Sequence, residues 1–331
     1  MPKASGSPPT PSAGVISSEA AGTARPLGPP GLIDRAAPAL FLIFWSSGFV
    51  AAKIGLDGAE PITFLALRFV IVTALLLAIA VMLRRPWPRR PSEIGHLLLI
   101  GLVMQALYFG TAYVAFDSGV TAGGLALIVG MQPVVTVILA AWWLGERVRP
   151  PQIAGLALGA MGVVLVLGEK LAAGLGTPAG IALAGVSLLS ITAGTLYQKR
   201  FCPAFDLWTG GTLQFAVAAV ATSIIALLFE DNSIAWTPAF AVALAYLVLI
   251  NSIVAIALLN LMLRRGEAGR VASLFFLVPP GAALVAYVAL DETLGPLALL
   301  GMAIATLGVA LVMHRGRPME TTGRSGPARS G

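Results

Sequence analysis

The chain has 331 residues, of which 57% are hydrophobic and 11% charged, with 21 basic and 15 acidic side chains and a formal net charge of +6. A soluble domain carries roughly a quarter charged residues because its surface faces water, so this composition excludes a water-exposed globule. It also leaves little room for familiar catalytic chemistry: one cysteine, Cys202, and two histidines, His96 and His314, rule out an internal disulfide, a histidine-cluster metal site and a Ser/His/Asp triad.

Residues 1–34 are rich in Pro, Gly, Ser and Ala without hydrophobic periodicity, and read as a disordered cytoplasmic tail. Apolar runs then alternate with short polar punctuation. A bilayer-spanning helix needs about 20 mostly apolar residues. Spans are expected near 37–54, 61–83, 96–116, 121–143, 151–168, 178–197, 207–229, 239–262, 271–290 and 296–313. The expected fold is an all-α polytopic membrane protein with ten transmembrane helices and no β-sheet, and residues 315–331 form a second disordered cytoplasmic tail.

Basic residues set the orientation of such a chain. With the N-terminus inside, 18 of the 21 Lys and Arg face the cytoplasm, among them Arg84, Arg85, Arg89, Arg90, Arg147, Arg149, Arg264, Arg265 and Arg270. The outer loops hold Asp57, Glu60, Asp117, Glu169, Glu230, Asp231, Asp291 and Glu292, with Lys170 as their one base. Both termini are expected to be cytoplasmic. The positive charge is thereby absorbed by topology, and nucleic acid is not a partner.

An offset of 146 residues aligns 129–167 with 275–313 without gaps, matching Pro133 to Pro279, Glu146 to Glu292, Pro150 to Pro296, Gly155 to Gly301 and Gly162 to Gly308. Over 121–167 this offset gives 14 identities in 47 positions, and it also sets Lys53 on Lys199, Gly48 on Gly194 and Gln105 on Asn251. Two repeats result, 35–168 and 178–314, each of five spans. Five is odd, so the second copy enters the membrane from the opposite side: an inverted five-plus-five repeat, the arrangement of many secondary transporters.

These features resemble the drug/metabolite transporter superfamily, EamA type. The matching residues are Phe44-Trp45-Ser46-Ser47-Gly48-Phe49 with Lys53, Leu67-Arg68-Phe69, Pro133 followed by Leu144-Gly145-Glu146, and Pro279 followed by Leu290-Asp291-Glu292. The likeness covers roughly 37–314. It implies a metabolite exporter or importer of a bacterial inner membrane.

Depth along each span selects candidate site residues. Trp45, Gln105, Gln132 and Asn251 fall near the middle of their helices, and Tyr108 is expected on the same face as Gln105. An amide in hydrocarbon needs a partner or a wet cavity. These residues either face substrate in a midplane cavity or act as interhelical glue. Arg68 lies seven residues into its span, where it serves the site electrostatically, snorkels outward, or pairs with a structural carboxylate. Its repeat counterpart is the neutral Gln214. Lys53 and Lys199 are expected to snorkel. Pro133, Pro279 and Pro280 are expected to kink their helices beside the cavity. Gly155, Gly159 and Gly162, with Gly301, Ala305 and Gly308, form small-residue faces for close packing within the chain or at a homodimer seam.

No Asp or Glu falls near the middle of a span and no G-x-x-x-x-G-K-[ST] loop is present. The functional expectation is a secondary transporter, an exporter, of a small metabolite such as an amino acid or related compound. It needs no cofactor or metal, is embedded in the lipid bilayer, and works by facilitated diffusion or exchange rather than proton antiport. A structural or sensory membrane protein is the alternative. An intramembrane enzyme lacks its catalytic groups.

Overall fold

A computed structural model describes residues 31–143, 150–173, 176–202, 205–264, 274–290 and 295–314. We number its helices α1 (Leu32–Gly55), α2 (Pro61–Met82), α3 (Pro91–Asp117), α4 (Ala122–Trp143), α5 (Pro150–Ala173), α6 (Pro178–Phe201) and α7 (Leu207–Phe229). Helix α8 begins at Pro238–Ala245 and runs through Tyr246–Val254 into Ala255–Arg264, α9 is Val278–Leu290 after a 3-10 turn at Phe275–Leu277, and α10 is Pro296–His314. Among the described residues seven helices are long and apolar enough to cross a membrane: α1 to α4, α6, α7 and the Pro238–Leu259 stretch of α8. In the regions of the other three expected spans, Ile153–Gly162 and Val278–Ala289 form shorter apolar helical runs. No strand occurs among the described residues, only an isolated antiparallel bridge between Ala59 and Ile234. The helical turn at Leu32–Asp34 extends into the expected tail. The expected loop ends at Leu144-Gly145-Glu146 and Asp291-Glu292 lie outside the described residues.

Local sequence explains where these helices begin. Six of them open on a proline at the first helical position (Pro61, Pro91, Pro150, Pro178, Pro238, Pro296), where a missing N–H is no loss and φ is already helical. Threonines cap three N-termini: Thr121 accepts from the Gly124 N–H at 3.0 Å, Thr177 from Gly180 and Thr237 from Phe240, both at 3.1 Å. Asp206 caps α7 through the N–H groups of Trp208 and Thr209.

Two helices leave α-geometry at matching places. Residues Gly101–Leu107 of α3 and Tyr246–Val254 of α8 are π-helical, and the 146-residue offset maps the first onto 247–253. A π-turn carries i→i+5 bonds and is frequent at functional sites. In α8 the Ser252 hydroxyl donates back five residues to the Leu247 carbonyl at 2.9 Å. A second irregularity sits at Met131, where α4 breaks ahead of Pro133. It faces its counterpart, since Gly130 leaves room only for the Pro279 ring of α9.

The packing crosses between the chain's halves. Helix α1 packs on α8 and α9, whereas α6 packs on α3 and α4. Helix α2 pairs with α7, and α5 with α10. The α2–α7 pair is antiparallel, tied at both ends. Near Pro86, its carbonyl accepts from Thr209 at 2.9 Å and Arg85 lies 3.8 Å from Asp206. At the other end the Glu230 carboxylate accepts from the N–H groups of Ile62 (2.9 Å) and Thr63 (2.6 Å) and from the Thr63 hydroxyl (2.7 Å). Glu60 in turn accepts from the Asp231 N–H at 2.6 Å. Between α5 and α10, a Cβ on Gly308 would lie 2.7 Å from the Gly159 nitrogen and 2.8 Å from the Gly155 oxygen, so this seam is a backbone-to-backbone approach. Gly162 and Gly301 are buried on the same two helices.

Candidate substrate cavity

A cavity with about 380 Å³ of empty space lies among α1, α2, α3, α4 and α8. Its wall includes Trp45, Gly48 and Phe49 of α1, Arg68 of α2, Tyr108, Phe109, Tyr113 and Phe116 of α3, Leu125 of α4, and Leu247 and Asn251 of α8. The wall is thus mostly aromatic and aliphatic, with a few polar atoms converging on it, as small-molecule sites commonly are.

Arg68 is the centre of that polar set. It is 2% exposed, yet it reaches no carboxylate among the described residues. Its Nη1 donates to the Tyr113 hydroxyl at 2.8 Å, and its Nη2 to the Ser252 hydroxyl at 3.0 Å and to the Asn251 carbonyl oxygen at 3.3 Å. Its Nε has no partner among the described residues. The guanidinium sits 4.9 Å from the Phe109 ring centroid, within cation–π range. All of its partners are neutral, so the positive charge is dispersed by hydrogen bonds and ring faces but not cancelled. A buried charge of this kind is expensive. It neither snorkels nor joins an ion pair, the two bland readings of its position.

Asn251 is held from both sides, donating its Nδ2 to the Phe44 carbonyl at 3.0 Å while accepting from Arg68. Space for this amide exists because residue 48 is glycine; a Cβ there would overlap the amide. Trp45 is half-buried in an aromatic group with Phe41 (5.3 Å) and Phe275 (5.7 Å) and presents part of its surface to the cavity. The Tyr108 ring packs 4.4 Å from Phe109.

Trp45, Arg68, Tyr108 and Asn251 therefore meet at one cavity. Gln105 and Gln132 do not line it. Gln132 donates to the Thr195 hydroxyl at 3.3 Å on α6. Gln105 lies inside the π-segment, whose wider turn rotates it off the face of Tyr108, and its Oε1 is buried without a partner. Lys53 turns inward, donating to the Phe116 carbonyl at 2.9 Å, while Lys199 is exposed at the end of α6. Tyr113, Ser252 and Phe109 were not foreseen. The dense aromatic run 108–116 and the serine beside Asn251 are the sequence signals that could have found them.

The two halves differ at this point. By the 146-residue offset Arg68, Asn251, Ser252 and Tyr113 correspond to Gln214, Gln105, Ala106 and Leu259. The Gln214 Nε2 and the Gln105 Oε1 are both buried and have no partner among the described residues. The cation is a property of one half alone.

Comparison with known proteins agrees with this architecture. The model of the EamA-like transporter family matches residues 37–168 and again 178–314. An Escherichia coli K12 protein named "Probable amino-acid metabolite efflux pump" is 29% identical over 285 residues, covering 82% of this chain and 91% of its own. A Streptantibioticus cattleyicolor protein named "Probable terminal-alkyne amino-acid exporter" is 31% identical over 300 residues, covering 86% of this chain and 96% of its own. One solved crystal structure shares the fold with a TM-score of 0.64 at 21% identity, over 85% of this chain and 96% of that one.

Proposed function

The chain belongs to the EamA-like transporter family, and from that premise we propose that it exports a small metabolite, such as an amino acid or related compound, as a secondary transporter working by alternating access. The carrying observation is the cavity itself, walled by α1 to α4 on one side and by α8 on the other, with a buried cation at its centre. A site shared between two halves of a chain is one that their relative motion can open to either side.

Ten spans in an inverted five-plus-five repeat, 35–168 and 178–314, are the architecture we propose. Support comes from the family model matching twice, the π-segments at equivalent places, and the reciprocal packing of α1 and α6. The antiparallel α2–α7 pair supports it too, because elements straddling an axis in the membrane plane run in opposite directions. Both termini are cytoplasmic in this reading, and the membrane is the bacterial inner membrane. Trp45, Arg68, Tyr108 and Asn251 face the substrate. The breaks at Pro133 and Pro279-Pro280 are where helices bend, and the glycines of α5 and α10 let those helices pack closely. The cavity lining holds no Asp or Glu, which favours facilitated diffusion or exchange over proton antiport.

Flux of a metabolite panel, measured in proteoliposomes with and without an imposed pH gradient at fixed potential, tests this. Saturable counterflow of at least one amino-acid-like compound is expected. Absence of saturable flux across the panel sinks the transporter reading, and uphill accumulation driven by the pH gradient alone sinks the coupling.

A further inference from the structure

We propose that the cavity recognises its cargo by a carboxylate, held on the Arg68 guanidinium, and that a free ammonium on the cargo adds no affinity. This rests on the transporter reading above and names the chemical class of its substrate.

Three observations carry it. First, Arg68 is 2% exposed, lines the cavity, and has only neutral partners, so the counter-ion is absent from the described residues. Second, one edge of the guanidinium is loosely held. Nε is unbonded, and Nη2, the nitrogen on the same side, spends one bond on Asn251 at 3.3 Å, the longest of the three. A carboxylate that displaces Asn251 accepts from both Nε and Nη2, the bidentate geometry for which a guanidinium is shaped. Tyr113 and Ser252 hold the rest of the group in place meanwhile. Third, the matching position of the other half is Gln214, so helix α2 has no architectural need of a cation here.

The remaining wall disfavours an ammonium. It carries no Asp or Glu. A second cation a few ångströms from Arg68 would be repelled strongly in a low-dielectric site. What the wall does offer is apolar area from Trp45, Phe49, Phe109, Phe116, Leu125 and Leu247. A small carboxylate with an apolar body matches the chemistry of this lining; the α-amino group can be free, acylated or missing.

The test is binding to the purified, detergent-solubilised full chain, followed by calorimetry or thermal shift, with probes that share one apolar body. These are 4-methylpentanoate (carboxylate only), leucine (both charges), leucinamide (ammonium only) and 4-methylpentanamide (neither), with a phenyl-bodied set beside them. The acid is expected to bind at least as tightly as the amino acid and at least 10-fold tighter than either amide. In Arg68→Gln, which installs the residue of the matching position, carboxylate affinity falls at least 10-fold while the neutral amide is unaffected. Amides binding as well as acids in the unmutated protein, or no acid binding in either set, overturns the proposal without reliance on any variant. Flux of the same compounds separates the two readings. Binding of acids without flux defeats transport and leaves the carboxylate site standing, whereas equal flux of acids and amines defeats the carboxylate site and leaves transport.

Discussion

Arg68 and Asn251 are joined at 3.3 Å across α2 and α8, whereas the residues at the matching places, Gln214 and Gln105, carry a buried amide nitrogen and a buried carbonyl oxygen with no partner. A bond between the halves is made at one place and unmade at the place that matches it by the 146-residue offset. Asn251→Leu removes an acceptor from the buried Arg68 guanidinium, at a cost of about 1–3 kcal/mol, and one donor from the Phe44 carbonyl, which keeps the Ser47 hydroxyl at 3.3 Å. Gln105→Leu removes an oxygen that has no partner, so stability is expected to hold or rise. Thermal unfolding in detergent, paired with flux, reads the difference. Equal losses in the two variants would show that the asymmetry has no energetic content.

Two glycines stand where a methyl group has no room. A Cβ at Gly48 overlaps the Asn251 amide, and one at Gly130 enters the Pro279 ring. Gly48→Ala and Gly130→Ala are each expected to cost about 1–3 kcal/mol, the usual range for overpacking. Gly95 has nothing within 4 Å of the same atom and sits inside α3. Gly95→Ala should therefore stabilise by about 0.5–1 kcal/mol from helix propensity. Melting temperatures of the three variants check the ordering.

Glu230 closes the N-terminus of α2 with three accepted bonds, and Glu60 accepts one from the Asp231 N–H. Glu230→Gln keeps a single acceptor oxygen and loses the charge that the helix N-terminus favours. It is expected to cost about 0.5–2 kcal/mol, the range of a lost cap, with Glu60→Gln costing less. A melting temperature for Glu230→Gln at or above that of the unmutated protein counts against the cap.

Cys202 packs on Leu97 and Ile100 at the end of α6, and its thiol is pushed up from the ordinary range first by burial and then by the charge of Glu93. Less thiolate is present at neutral pH, and little of the sulfur is reachable. Maleimide should label the folded protein at least 10-fold more slowly than the SDS-unfolded chain, and raising the pH through the usual thiol range should recover only part of the rate. Matching rates in the two states would mean that the site is open.

That slow thiol makes the unmutated chain a quiet background for topology. A cysteine at Asp231 is expected to react with an impermeant reagent added outside cells, and one at Arg89 only after permeabilisation. The reverse pattern inverts the orientation.

Helix placement was largely legible because it depends on hydrophobic length and on proline, threonine and aspartate at the starts. Pro61, Pro178 and Asp206 are visible as such in the sequence, and α2, α6 and α7 begin where they say. Arg68 was legible as an oddity, since a cation deep in an apolar run has to be accommodated. Gln105 was not, because the argument from i, i+3 spacing presumed α-geometry. The π-turn at Gly101–Leu107 breaks that spacing, with no residue type to announce it. Tyr113 and Ser252 escaped for another reason: hydroxyls satisfy themselves locally in helices often enough that depth does not single them out.

The reciprocal packing of α1 and α6 has a temporal consequence. Because α1 is finished by α8 and α9, the first half is not a unit that can complete itself as it is made. Ser46 of α1, fully buried in the final structure, donates to the Val278 carbonyl at 3.2 Å. At synthesis rates of about 5–20 residues per second, the wait between the completion of Gly55 and of Leu290 is on the order of 10–50 s. Through that interval the hydroxyl and the glycine notch at Gly48 face lipid or the insertion machinery, and the nascent first helix depends on being sheltered until its partners arrive.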